Sequence, residues 1–277
     1  MPYAPDMRQL AHVTRTRPFL KWAGGKARSS AQLVEMAPPF TGRYWEPFMG
    51  SAAVFFELAP DRAVLSDANE ELVVCFEQVA HDPHAVMEEL DAMPNTRDFY
   101  MHVRGLEPVS LSPTMRAARV IFLNKTGFRG LWRVNRQGRY NVPYGQYDRP
   151  YYDRDNLLRA SKSLLSAEVR RAGFDDILPQ TQPGDWVYLD PPYVPDRKWG
   201  DFKRYTADQF PDDMVHLLAH HMRDADARGV FLTLTNSDTE TVRRVFHGFK
   251  VKRLATRRDI HLKSAERKST DLVICNY

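Results

Sequence analysis

Short runs rich in β-branched and aromatic residues recur along this chain, separated by stretches whose apolar positions follow helical spacing. The runs are RYWEPF near 43–48, RAVLSD at 62–67, EVRRAGF at 168–174, DWVYLD at 185–190, GVFLTLTN at 229–236, FKVKRLAT at 249–256 and TDLVICNY at 270–277. Such alternation predicts a mostly parallel sheet joined by crossover helices, an α/β fold. The last two runs flank the basic segment RRDIHLKSAERKST, which suits a long hairpin loop better than another crossover helix. Between about 76 and 165 the pattern changes to helices broken by Pro83, Pro94, Pro108 and Pro113, followed by the Gly-, Arg- and aromatic-rich segment NKTGFRGLWRVNRQGRYNVPYGQY. These features predict one discontinuous domain, 1–75 with 166–277, carrying an inserted, mostly helical lobe at 76–165 with a basic hairpin. Residues 1–16 are expected to form a loose arm.

With 277 residues, 43% hydrophobic and 27% charged, the chain can bury about three-quarters of its unfolded surface in one core, which favours a fold plus lobe over two independent domains. Cys75 and Cys275 are too few and too distant for a disulfide scaffold or zinc cage, and a reducing compartment is expected. No stretch approaches the roughly 18–20 apolar residues of a membrane span, so a soluble, intracellular protein is expected. The formal charge is only +4, yet Arg116 to Tyr147 holds seven Lys or Arg and no Asp or Glu, and Lys250 to Lys268 holds eight against two acids. Local basic fields of this kind attract polyanions, although a charge run is also what a solvated face looks like.

Three constellations carry candidate chemistry. In GDWVYLDPPYVP an apolar strand ends at Asp190, and Pro191 and Pro192 then fix the backbone and remove two amide donors. A carboxylate and the Pro191 carbonyl are both acceptors, which suits the two N–H donors of an exocyclic amine, while Tyr193 offers a stacking face. An ordinary Asp-Pro strand end fits the same tetrapeptide. In RYWEPFMGSAAVFFEL a strand enters a turn at Gly50, and Asp67 lies 17 positions later at the next strand end, placed for ribose hydroxyls. One glycine is compatible with packing as well. The third, PFLKWAGGKARSS, lacks the G-x-x-x-x-G-K-[ST] spacing because Ala27 follows Lys26, which excludes an ATP-binding loop. A Gly-Gly turn before a helix can still present amides and Lys26 to a carboxylate, with Trp22 covering a cationic or aliphatic ligand part. His216, His220 and His221 fall on a predicted helix, and no metal-ligand spacing stands out.

Taken in order, FLKWAGGK, EPFMG, LSDAN, LNKTGFRGLWRVNRQGRYNVPYG, DPPY and TNSDT make residues 18–277 similar to the Dam-type (D12 class) DNA N6-adenine methyltransferase family. The resemblance implies a Rossmann-like, S-adenosylmethionine-dependent methyltransferase sheet with an inserted target-recognition lobe. It implies transfer of the cofactor's methyl to N6 of a flipped adenine in duplex DNA, in GATC or a related short site. By matching position, Asp190, Pro191, Pro192 and Tyr193 form the catalytic motif, and Trp22, Ala23, Gly24, Lys26, Asp67, Phe174, Asp175 and Asp190 line the cofactor site. Arg133 falls where the family reads a guanine, Leu131 and Pro143 where it touches a thymine methyl, and Lys21 where it meets the first guanine. Phe128 supplies an aromatic wedge beside Arg129; Thr126 and Arg129 replace an aromatic and an asparagine common in the family, and Ser51-Ala52 departs from its small-residue pattern after Gly50. The family further implies a cytoplasmic, bacterial or phage-encoded, nucleoid-associated enzyme, acting as a monomer or weak dimer on double-stranded DNA; no membrane and no metal are expected from the sequence itself. An N4-cytosine methyltransferase and a catalytically silent DNA-binding module stay open as alternatives.

Overall fold

The computed structural model describes residues 15–193, 210–256 and 269–277. Seven strands among them form one sheet: β1 (Tyr44–Glu46), β2 (Ala63–Asp67), β3 (Ala167–Arg171), β4 (Trp186–Leu189), β5 (Phe231–Ser237), β6 (Lys250–Thr256) and β7 (Ser269–Cys275), in the order β3-β2-β1-β4-β5-β7-β6. The first five run parallel, and β7 is antiparallel to both β5 and β6. This is the Rossmann-like methyltransferase sheet that the resemblance implies, and the antiparallel β6–β7 pair agrees with a hairpin. Strand order reverses between β1 and β4, so the crevice at their carboxyl ends is where an open α/β sheet binds ligands. The expected strand at 43–48 is shorter than its apolar run because Pro47 has no amide for the ladder.

Alternation along the strands explains how both sheet faces are covered. Tyr44, Leu65, Trp186 and Tyr188 join one apolar core, and Trp45, Val64, Val187, Leu189, Leu232 and Leu234 join the other. A strand buried on both faces reads as a continuous apolar run, as these do. Helices α1 (Ser30–Glu35) and α2 (Ala53–Leu58) lie on the first face with α3 (Glu70–His81). On the second face lie α8 (Phe174–Ile177), α9 (Asp212–Ala227) and α10 (Glu240–Val245). The even-numbered positions Glu46 and Asp190 therefore follow Tyr44, Trp186 and Tyr188 toward the first face.

Between α3 and β3 come α4 (Pro83–Asp91), α5 (Arg97–Gly105), α6 (Pro113–Thr126) and α7 (Arg154–Leu164), which share the first core. Pro83 and Pro113 start helices rather than break them, contrary to the expectation from sequence. Each sits at a helix N-terminus, where a missing N–H costs nothing, behind the capping side chains of Asp82 and Ser112. The second half of α6 is buried but for Lys125, Arg119 included, whose guanidinium is held by the carbonyls of Val103 and Arg104. The following segment is a hairpin with bridges at Gly127–Tyr144 and Val134–Tyr140, closed by an Asx turn in which the Asn135 side chain accepts from the amides of Gln137 and Arg139.

The expected loose arm needs correcting at its described end: Arg15 pairs with Glu57 at 2.7 Å, and Thr16 bonds Ser163 at 3.3 Å. Residues 1–14 and the basic segment 257–268 lie outside the described residues. Among the described residues no helix is long and apolar enough to cross a membrane. Cys75 and Cys275 are both free and buried.

Candidate active site

The loop before α1 begins with a turn, Trp22 to Gly25, closed by a 3.0 Å bond from the Gly25 amide to the Trp22 carbonyl. Gly24 occupies its third position at φ +77°, a conformation that side-chain-bearing residues avoid. The helix expected directly after Lys26 begins later, at Ser30, so Lys26 stands on a loop rather than at a helix N-terminus. Its ammonium does meet a carboxylate, but one of the protein's own: Lys26 Nζ lies 2.7 Å from both oxygens of Asp190 and 2.7 Å from the Gly24 carbonyl. The same ammonium is 4.8 Å from the centre of the Tyr193 ring. Tyr193 donates its hydroxyl to Asp271 on β7 at 2.8 Å, and Thr235 on β5 donates to Asp190 Oδ1 at 2.7 Å. The Pro191 carbonyl accepts no hydrogen bond from the described residues.

One strand away, the turn after β1 carries Gly50 at φ +46°, where an added Cβ would come within 2.8 Å of the Trp22 ring. Trp22 therefore closes down on this turn, and its other contact is a stack against Trp132 of the hairpin, with centroids 6.1 Å apart. Asp67, at the end of β2, accepts from the Gly50 amide at 3.2 Å and the Asn69 amide at 3.0 Å. Burial raises its carboxyl despite these two donors. Phe174 stacks on Phe48 at 5.6 Å and is buried, while Asp175 is exposed at the cleft edge.

Glu46 sits beneath this site and was not singled out from sequence. It is buried, and its Oε2 accepts from the Tyr44 hydroxyl at 2.7 Å and the Phe55 amide at 3.2 Å. Burial pushes its carboxyl up to about 8; the Tyr44 hydroxyl opposes the rise and the nearby Asp190 adds to it. In the unfolded chain the group ionises near 4.5, so across the interval from 4.5 to about 8 the folded state holds a proton that the unfolded state has lost. Stability should fall as pH rises through this window, by roughly 5 kcal/mol at most, and then level off. Glu46→Gln keeps the shape without the ionisation, so the difference in Tm between variant and parent should change with pH in this window. A pH-independent difference would contradict the burial argument.

The hairpin forms the opposite wall. Asn124, fully buried, accepts from the Lys21 amide at 2.9 Å and donates to the carbonyls of Lys21 at 2.7 Å and Gly130 at 3.2 Å, tying the loop before α1 to the hairpin. The Lys21 stem packs over Gly130, where a Cβ would meet it at 2.5 Å. Arg133 donates from Nε to Asn141 Oδ1 at 2.8 Å, bracing its guanidinium across the hairpin. Arg129 adopts φ +59° and lies 5.2 Å over the half-exposed Phe128 ring. Lys21 and Arg149 stand 5.8 and 5.4 Å from the Tyr147 ring centre, and Lys125 lies beside them. Burial, then the Lys21 and Arg149 charges, bring Lys125 down to about 8. An anion relieves such crowding of like charges.

A single cleft of about 2880 Å³ brings together Lys21, Trp22, Ala23, Gly24, Lys26, Asp67, Leu131, Arg129, Arg133, Phe174, Asp175 and Asp190 to Tyr193. Phe128 and Pro143 are not part of its lining. Drug-sized ligands occupy roughly 300–1,000 Å³, so the space admits two such molecules side by side. Among the described residues no group of three His, Cys, Asp or Glu could hold a metal; His220 faces Asp224 and His221 edges Phe174. Residues missed from sequence are Glu46, Trp132, Asn124, Lys125, Tyr188, Thr235 and Asp271. Strand parity could have found Tyr188 and Thr235, but no local signal marks Trp132 as the partner of Trp22.

The profile of the D12 class N6 adenine-specific DNA methyltransferases matches residues 22–260. A type II methyltransferase of Lactococcus lactis subsp. cremoris is 32% identical over 94% of this chain and 95% of its own length. A type II methyltransferase of Methanocaldococcus jannaschii is 35% identical, covering 94% of this chain and 99% of that protein. A DNA adenine methylase of Vibrio cholerae is 29% identical over 94% and 95% of the two chains.

Proposed function

The chain belongs to the D12 class of N6 adenine-specific DNA methyltransferases, and from that premise we propose that it methylates an adenine rotated out of duplex DNA, using S-adenosylmethionine, within GATC or a related short site. The observation that carries this reading is the meeting, in one cleft, of Asp190 to Tyr193 with the Gly50 turn, Asp67 and the basic hairpin. Trp22, Ala23, Gly24, Gly50 and Asp67 fit the cofactor. Gly50 leaves no Cβ in the way, no atom lies near the Cβ direction of Gly24, and Asp67 keeps acceptor capacity beyond its two amide bonds. When bound, S-adenosylmethionine supplies an electrophilic methyl on a sulfonium.

The protein's own part is positioning. Adenine's amine is a poor nucleophile because its lone pair is delocalised into the ring. Asp190 and the Pro191 carbonyl, each accepting one N–H, favour a pyramidal nitrogen with its lone pair aimed at the methyl. Lys26 and Thr235 take three of the roughly four acceptor directions of the Asp190 carboxylate and leave one for the base. The base stacks on the Tyr193 face away from Lys26. Extrusion costs a few kcal/mol, offset by stacking and by phosphate contacts from cations such as Lys125 and Arg149. Residues 76–165 act as the recognition lobe, with Phe128 as the wedge and Leu131 and Pro143 as the apolar contacts. Expression in a methylation-free host followed by single-molecule sequencing tests the reading. N6-methyladenine at one short site is expected, whereas N4-methylcytosine or unmodified DNA would overturn it.

A further inference from the structure

We propose that Thr235 is a positioning residue that selects which oxygen of Asp190 meets the substrate amine, and that Tyr188 orients it. The inference rests on the assignment of Asp190 made above. In the parallel β4–β5 pair, Leu189 is opposite Leu234, so the next positions, Asp190 and Thr235, fall side by side at the carboxyl edge. Thr235 and Tyr188 are both buried. The Thr235 hydroxyl lies 2.7 Å from Asp190 Oδ1, 3.0 Å from the Tyr188 hydroxyl and 3.4 Å from the Leu189 carbonyl.

A hydroxyl has one proton to give. The short contact to a carboxylate, a pure acceptor, takes it, so the Tyr188 phenol must donate to Thr235. The result is a directed chain from Tyr188 through Thr235 to Asp190. Lys26 donates to both carboxylate oxygens. Oδ1 therefore accepts twice, from Thr235 and Lys26, and its lone-pair directions are used. Oδ2 accepts from Lys26 alone and keeps one direction, which is the one available to the amine. Rotation of the carboxylate about its Cβ–Cγ bond would break the Thr235 contact, so the chain also fixes the plane in which the amine is held. Two residues earlier the same ladder repeats with a different outlet. Trp186 donates to Thr233 at 2.9 Å, and that hydroxyl is 2.6 Å from Tyr277 rather than from any group in the cleft. Only the Thr235 rung is turned to chemistry.

In-line transfer is sensitive to misplacement of the nucleophile by fractions of an ångström. Thr235→Val keeps the volume and removes the hydroxyl. It should lower kcat roughly 10- to 100-fold while leaving the KM for S-adenosylmethionine and the Kd for duplex DNA within about three-fold. Thr235→Ser should restore kcat to within about three-fold of the parent. Tyr188→Phe alone should cost less, and it should add no further loss in kcat to the Thr235→Val background. That double variant leaves no orphaned phenol and guards against misfolding as the cause. Full-speed turnover by Thr235→Val, equal losses in the Ser and Val variants, or a rise in KM without a fall in kcat would each overturn the inference. Asp190→Ala separates the layers: turnover retained there sinks the assignment of Asp190 itself, whereas a dead Asp190→Ala beside a fully active Thr235→Val sinks only the role of Thr235.

Discussion

Asp190→Ala is expected to lower methyl transfer by at least about 1,000-fold and to leave DNA affinity within a few-fold of the parent. Removing a preorganised group that acts on the reacting centre typically costs about 10²–10³ in kcat, and here the carboxylate also anchors its neighbours. Lys26 is almost fully buried and directs its ammonium at both Asp190 oxygens, so truncation leaves a buried cation beside an uncharged gap. Removing one partner of a buried pair costs about 3–5 kcal/mol in the general case, and the partial exposure of Asp190 reduces that figure. Some loss of Tm accompanies the loss of activity, and Asp190→Asn controls for it by keeping volume. DNA affinity should be spared because, on the proposed reading, the cations of the hairpin wall rather than Asp190 hold phosphate. Filter binding or fluorescence anisotropy at fixed salt, beside single-turnover kinetics, separates the two effects.

Arg133→Ala is expected to relax the sequence preference at one guanine without abolishing turnover. A bidentate guanidinium–guanine contact is worth about 1–3 kcal/mol of discrimination, or roughly 5- to 150-fold. The structure adds a reason for precision: the Asn141 side chain accepts from Arg133 Nε, so the guanidinium is braced across the hairpin before DNA arrives. Asn141→Ala should therefore weaken the same preference in part, through the arginine. Competition between duplexes that differ at a single position reads the effect directly. Phosphate-binding cations behave differently, since their loss weakens all sequences alike and lowers the salt dependence. An unchanged site profile in Arg133→Ala would count against base readout by this residue.

The centre of the sheet was readable because β1, β2, β4 and β5 are buried on both faces. Runs such as DWVYLD and GVFLTLTN have no other place in a chain of this size, and the antiparallel ending followed from a basic connecting segment that suits a hairpin loop better than a crossover helix. Pro83 and Pro113 misled because proline reads as a break unless the preceding Asp82 and Ser112 are recognised as caps. Within the site, local motifs exposed Asp190, Gly50, Asp67 and the Gly24 turn, each of which has a backbone reason visible in its own neighbours. What stayed hidden are pairings across sequence distance. Lys26 and Asp190 are 164 positions apart, and nothing near either says that they meet. Trp22 against Trp132, and Asn124 against Lys21, depend on how the lobe packs back over the sheet. Glu46 escaped notice because a carboxylate in a strand looks like an exposed residue until both faces of the sheet are covered.

The most direct measurement is isotopic. The purified protein is incubated with duplex DNA and S-adenosylmethionine carrying a trideuterated methyl group, the DNA is digested to nucleosides, and the products are weighed by mass spectrometry. Trideuterated N6-methyldeoxyadenosine should accumulate with the parent protein and vanish with Asp190→Ala. Label in N4-methyldeoxycytidine, or DNA that gains no deuterium at all, would contradict the account.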